Sequence, residues 1–161
     1  MKRLVVLPAG TRLDVCLTAL RRFTALLLGL TALGKAVDLA TGSVSGTDPV
    51  LQLDRRWVWT GAVLLELVVC GYLWAGRLRV VQGLLLLWLG GHFMAYHAAL
   101  AGDRATGCGC LGWFGPTTES RPKTEERIAV GMATGMLVVG LVTLVAARAT
   151  AEAESESGPE G

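Results

Sequence analysis

The chain has 161 residues, 52% of them hydrophobic and 17% charged, and its mean hydropathy is +0.51. A soluble domain carries about 25% charged residues, so this composition cannot supply a water-facing surface. The apolar residues fall in blocks long enough to cross a bilayer. That excludes a soluble enzyme, a disordered chain and a nucleic-acid binder, and a net charge of +2 is too small to draw in a polyanion. The expected architecture is all-α: one compact polytopic membrane domain.

In chain order, Met1-Lys2-Arg3 before Leu4–Leu7 and Pro8 mimics a signal peptide. Its apolar run is too short, and no small-residue cleavage site follows. It reads instead as a retained cytoplasmic tail. Residues 11–22 set Leu13, Cys16, Leu17 and Leu20 at helical spacing with Arg12, Arg21 and Arg22 in the flanks, the pattern of an interfacial helix. Residues 1–22 therefore form an N-terminal segment, 23–147 a membrane domain and 148–161 an acidic tail with no bulky apolar residue, expected to be disordered.

Four spans are predicted within the membrane domain, making a four-transmembrane-helix bundle. They run from Phe23 to about Ala40, Trp57 to Gly76, Val80 to Ala101, and Ile128 to Ala147. Trp57, Trp59, Tyr72 and Trp74 bracket the second as interfacial anchors. Thr124 with Glu125 and Glu126 supplies an N-cap and first-turn acids for the fourth. Small residues are frequent inside the spans, as close helix packing in lipid requires. Lys2, Arg3, Arg12, Arg21, Arg22, Arg77, Arg79 and Arg148 collect on one side. Arg55, Arg56, Arg104, Arg121, Lys123 and Arg127 collect on the other. The denser set marks the cytoplasm, so both termini are expected inside and the 41–56 and 102–127 loops outside.

Ionisable residues within a span cost roughly 2.5–3.5 kcal/mol each at the helix centre. This chain places Lys35 and Asp38 in the first span, Glu66 in the second, and His92 and His97 in the third. Asp38 and His97 fall near the outer surface, Lys35 about 8 Å in at 1.5 Å per residue, and Glu66 and His92 near the midplane. Lys35 and Glu66 are expected to face the bundle. They are read either as an interhelical ion pair or as a proton relay or contact to a quinone-like head group. His92 reads either as a satisfied core residue or, with Lys35 and Glu66, as a candidate to line a proton or electron path. Lys35 could also pair with Asp38 three residues on. His92 and His97, five apart, do not share a helix face and make a joint metal site implausible.

The most informative segment is Gly107-Cys108-Gly109-Cys110-Leu111-Gly112-Trp113-Phe114-Gly115-Pro116. Two thiols separated by one residue cannot bridge on a regular strand, but a glycine between them lets the backbone bend enough to close a small ring. Disulfide geometry is narrow and strain makes the bond more reducible, so such a bridge suits exchange better than stapling. It encloses almost no loop and would add little unfolded-state constraint. A metal site using both thiolates with His97 or another residue, and a static bridge, remain alternatives. Cys70 reads as a packing residue and Cys16 as a free thiol.

Three segments in order carry a family resemblance: LGLTALGKAVDLA with Lys35, GAVLLELVVCGYLWAG with Glu66, and GCGCLGWFG before the last span. Over about residues 20–147 the sequence resembles the DoxX-like membrane proteins, most closely the MauE branch, named for methylamine utilisation. Leu111 stands where the family's usual Cys-Gly-Cys-Phe-Gly form has phenylalanine. The resemblance implies a four-helix membrane bundle acting in thiol–disulfide chemistry outside the cytoplasm. It also implies a thioredoxin-like partner, an exported cysteine-containing client and a quinone as electron acceptor. Cys108 and Cys110 would be the exchanging pair. Two other readings are a non-catalytic assembly subunit of a redox complex and a metal-handling membrane protein.

Overall fold

The structure, a computed structural model, describes residues 9–76, 78–100 and 122–156, with side-chain surroundings for residues 14–76, 78–100 and 127–152. Four helices make up the described chain: α1 (Ala9–Thr41), α2 (Arg55–Ala75), α3 (Arg79–Leu100) and α4 (Pro122–Glu156). Each contains a stretch long and apolar enough to cross a membrane. The 21 residues of α2 reach about 32 Å at 1.5 Å per residue, close to the ~30 Å hydrocarbon thickness of a bilayer. This is the expected all-α four-helix membrane bundle.

Two helix ends differ from the sequence reading. The interfacial segment and the first span are one continuous helix of 33 residues, because nothing between Arg12 and Phe23 breaks the backbone ladder. At the other end α4 runs on to Glu156, so the first part of the acidic tail is helical rather than disordered. Ala and Glu are strong helix formers, and extending an existing helix avoids the nucleation cost. Arg148 also bonds Glu152 one turn on, at 2.8 Å.

The helices pack as two antiparallel pairs. In α3–α4, Gly83 and Gly90 let α3 approach α4 until a Cβ added at either would lie 3.0 Å from a backbone oxygen, that of Gly140 or Ala133. Gly140 reciprocates, with a Cβ there 2.9 Å from the Gly83 oxygen. Small residues seven apart on both helices thus form a backbone-to-backbone seam, the packing that replaces the hydrophobic drive in lipid. In α1–α2 the seam is looser, with Cys70 Sγ 3.6 Å from where a Cβ on Gly29 would stand. The pairs meet around a central cluster drawn from all four helices, including Ala25, Leu28, Val69, Leu86, Leu89 and Met136.

Outward faces carry Leu64, Val68, Leu84, Val138, Leu141 and Val145, all exposed. Polar side chains sit inside instead, with Thr24, Thr31, Lys35, Glu66, Gln82 and Thr143 buried. Apolar outside and polar inside is the arrangement that contact with lipid demands. Trp57 and Trp74 are exposed at opposite ends of α2, as interfacial anchors should be, and the Arg22 guanidinium lies 5.6 Å from the Trp74 ring.

Antiparallel packing sets the N-terminal end of α1 and the C-terminal end of α4 at one end of the bundle. The α1–α2 connection and the C-terminal end of α3 lie at the other. Helix α1 stops on a Schellman motif: Gly42, at φ +72°, donates to Leu39 O, and Ser43 N–H donates to Asp38 O at 3.2 Å. The left-handed turn suits glycine and no other residue without strain. Asp54 then caps α2, accepting from Arg56 N–H at 2.9 Å.

Candidate functional site

Lys35 and Glu66 face each other across the α1–α2 seam. Nζ of Lys35 donates to Oε1 of Glu66 at 2.6 Å, and the two side chains are 6% and 1% exposed. Thr31, one turn before Lys35 on the same face, donates to Oε2 of Glu66 at 3.3 Å and to Leu28 O at 3.0 Å. The expectation that both charges face the bundle is met, and they form the interhelical ion pair. Asp38 is not the partner of Lys35. It sits at the helix end, where Oδ1 accepts from the Ser43 hydroxyl at 3.3 Å. The lysine stem is long enough to choose the charge on the neighbouring helix, where both groups leave lipid together.

His92 does not join them. The inward arc of α3 is carried by Gln82, Leu86, Leu89 and His97, and His92 is turned out of it onto the exposed face. Its Nδ1 bonds Trp88 O at 2.8 Å, and its ring centroid lies 4.2 Å from that of Trp88. His97 is buried, 8% exposed, with its ring edge-on to Tyr96 at 6.4 Å.

The end of the bundle carrying the α1–α2 connection is organised by Asp48, 1% exposed. Its Oδ1 accepts from Val50 N–H at 3.0 Å and Leu51 N–H at 2.9 Å, and its Oδ2 accepts from the Tyr96 hydroxyl at 2.7 Å. Burial by itself raises the pKa of this carboxyl. The amides of Leu51 and Val50, the Tyr96 hydroxyl and the charge of Arg55 outweigh it, so the pKa is lowered below the ordinary aspartate range. The connection is thereby tied to α3 one turn before that helix ends.

The opposite end holds a polar hub that sequence reasoning assigned to the membrane surface. Arg21, 8% exposed, donates to the Gln82 side-chain oxygen on α3, to Leu17 O at 3.2 Å and to Thr18 Oγ1 at 3.1 Å. The Gln82 amide donates onward to Gly76 O at 2.9 Å and Leu73 O at 3.3 Å. It thus satisfies carbonyls left open at the end of α2. Costly groups are therefore buried at both ends of the bundle. The one available signal was Gln82 itself, a lone amide inside an apolar run. Asp14 and Arg79 pair nearby at 2.9 Å in a more exposed setting.

Of the cysteines, Cys16 is exposed and Cys70 partly buried, and Cys70 packs on the central cluster as expected. Cys108 and Cys110, with Arg104, lie outside the described residues. Among the described residues no group of three or more His, Cys, Asp or Glu side chains could hold a metal ion. Comparison of the chain with protein-family models, curated proteins and solved structures finds no match.

Proposed function

We propose that this protein is a membrane redox component that supports thiol–disulfide exchange on exported proteins, with Cys108 and Cys110 as the exchanging pair. The observation that carries the reading is two thiols one glycine apart in the α3–α4 connection of a four-helix membrane bundle. Helix α3 ends at Leu100, at the end of the bundle that also carries the α1–α2 connection. With both termini cytoplasmic, as the Lys and Arg distribution favours, that end faces the oxidising compartment, where disulfides persist. The resemblance to MauE-like and DoxX-like proteins, resting on the segments around Lys35, Glu66 and Cys108–Cys110, supports the same reading.

In the exchange, a thiolate of one pair attacks the disulfide of the other through a mixed disulfide. A thioredoxin-like protein is the proposed partner and an exported cysteine-containing protein the client. Oxidation of two thiols to a disulfide releases two electrons and two protons, which a membrane quinone takes up as hydroquinone. Glu66 accepts from both Lys35 and Thr31 across the seam, so the role of the Lys35–Glu66 pair in this reading is to hold α1 against α2 rather than to relay protons.

The test is Cys108→Ser and Cys110→Ser, each expressed in cells and probed for mixed disulfides with soluble partners. One variant is expected to accumulate a trapped adduct and both to lose client oxidation. Full client maturation by both would refute the exchange role. A second reading, a membrane assembly subunit for a redox partner, draws on Gly131 and Gly135. Both are exposed on α4, with open space where a side chain would stand. It predicts that both cysteine variants keep activity, whereas bulky residues at those glycines release the partner.

A further inference from the structure

One turn beyond the central apolar cluster, toward the Arg21–Gln82 hub, the inward faces of the bundle turn polar. Arg21 precedes Ala25 and Leu28 on α1 by four and seven residues, and Gln82 precedes Leu86 and Leu89 on α3 by the same steps. Thr143 follows Val139 and Met136 on α4 by four and seven. Residues so spaced share a helix face, so all three belong to the faces that make the cluster. They are 8%, 3% and 1% exposed. Gly83 lies against Gly140, which sets Thr143 level with Gln82 to within about 3 Å at 1.5 Å per residue. The three side chains thus form a buried polar layer across this end of the bundle.

Donors and positive charge are in excess there. A guanidinium has five N–H donors, and Arg21 uses three, on Leu17 O, the Gln82 side-chain oxygen and Thr18 Oγ1. All three acceptors are neutral, so the cation is buried without a bonded carboxylate. The Thr143 hydroxyl has no hydrogen-bond partner among the described residues. Arg79, one turn before Gln82 on α3, takes the Asp14 carboxylate at 2.9 Å. Arg22 lies over the Trp74 ring and makes no hydrogen bond among the described residues. Three guanidiniums therefore share one carboxylate. A buried charge without a counter-charge is costly, and an anion with several acceptor oxygens relieves the charge and takes the open donors together.

Depth decides which anion. Trp74, exposed near the end of α2, marks the level of the lipid head groups, and Arg22 is held 5.6 Å from its ring. Phospholipid phosphates lie at that level, and basic pockets between membrane helices hold anionic head groups. The gap to be filled lies between α1 and α3, where no Cα pair among the described residues comes within 8 Å. Only long side chains span it, in the Arg21–Gln82 and Asp14–Arg79 bonds. Arg79 and Asp14, 40% and 45% exposed, open this group to the surface. We infer that this end of the bundle binds the phosphate of an anionic phospholipid between the guanidiniums of Arg21 and Arg79, with Arg22 at the rim. Guanidinium and phosphate match in geometry as well as in charge. The site uses no cysteine and stands whether or not the redox reading holds.

The experiment uses the full chain in detergent, titrated with phosphatidylglycerol or phosphatidylcholine, and native mass spectrometry reads the lipid retained. Wild type is expected to retain phosphatidylglycerol in preference to phosphatidylcholine. Arg79→Gln should bind phosphatidylglycerol about tenfold more weakly, the loss of one charge-assisted hydrogen bond, with phosphatidylcholine binding unchanged. Arg21→Gln should lose at least as much. Because that substitution lies in the buried layer and can unfold the chain, Arg79→Gln at its more exposed position decides the matter. Arg148→Gln removes the same charge from an exposed position on α4 at the same end of the bundle and should leave the preference intact. Equal retention of the two lipids by wild type overturns the site. An equal loss in Arg148→Gln and Arg79→Gln also overturns it, since the attraction is then diffuse surface charge. Displacement of phosphatidylglycerol by inorganic phosphate at equal concentration overturns the lipid as the ligand.

Discussion

Lys35→Met leaves Glu66 in the bundle interior without its cation. Among the described residues the carboxylate keeps only the Thr31 hydroxyl at 3.3 Å, and the side chain is 1% exposed. Breaking a buried pair by removing one partner costs about 3–5 kcal/mol, because the remaining charge must stay desolvated or take up a proton. Glu66→Leu strands Lys35 in the same way. Replacing both at once removes the desolvation penalty together with the attraction, and such replacements are often neutral or stabilising by about 1–4 kcal/mol. The prediction is therefore strong non-additivity: two damaging single variants, and a double variant Lys35→Met/Glu66→Leu better than either. For a chain of this size each kcal/mol shifts the melting temperature by roughly 2–4 °C, so each single variant should melt about 6–20 °C lower. The assay is thermal unfolding of the four proteins of the cycle in the same detergent, followed by intrinsic fluorescence. If the double variant loses the sum of the two single losses, the groups act independently and the ion pair does not hold α1 to α2.

Three further outcomes follow from other parts of the bundle. Gly83→Ala and Gly140→Ala place a methyl within 3.0 Å of facing backbone and should each cost about 1–3 kcal/mol by overpacking. Gly131→Ala and Gly135→Ala meet open space and should be neutral or slightly stabilising through helix propensity, all four read by the same thermal assay. Gln82→Leu removes the acceptor of Arg21 and the donor to the α2 carbonyls. It should destabilise by roughly 2–3 kcal/mol and speed amide exchange at the α2–α3 turn. At the other end, the lowered pKa of Asp48 means that its stabilisation is fully present above the unfolded aspartate pKa of about 4. That contribution disappears as pH falls through the lower folded value. Protection of the Val50 and Leu51 amides, measured as exchange relative to the intrinsic rate at each pH, should be high near neutrality and fall at acidic pH, with Asp48→Asn weakly protected throughout. A flat acid limb in the wild-type protein would show that the carboxylate does not organise the connection.

The sequence was most informative where the bilayer itself dictates the answer. A span must be apolar for about 20 residues whatever its neighbours are, so α2 and α3 were legible to within a residue or two. Helix ends beyond the hydrocarbon were not. In α1 and in the Ala- and Glu-rich end of α4, helix continuation competes with charge patterning, and the backbone ladder prevailed. Glu66 was legible as inward-facing because a lone acid in an apolar helix has no affordable place in lipid. His92 obeyed no such rule, since its own backbone carbonyl satisfies one nitrogen and lowers the cost of facing outward.

What the residues alone determined, then, was a count of membrane crossings and a short roster of side chains too polar for hydrocarbon. Which of them meet was decided by tertiary packing. Lys35 reaches Glu66 rather than the nearer Asp38, Arg21 turns in to Gln82 rather than out to the surface, and Asp48 reaches Tyr96 on α3. The reason is rotational. Hydropathy records that a segment lies in the membrane but is nearly blind to the angle about its axis. That angle is chosen by glycine seams such as Gly83 against Gly140, where backbones approach closely enough to lock one helix face against another.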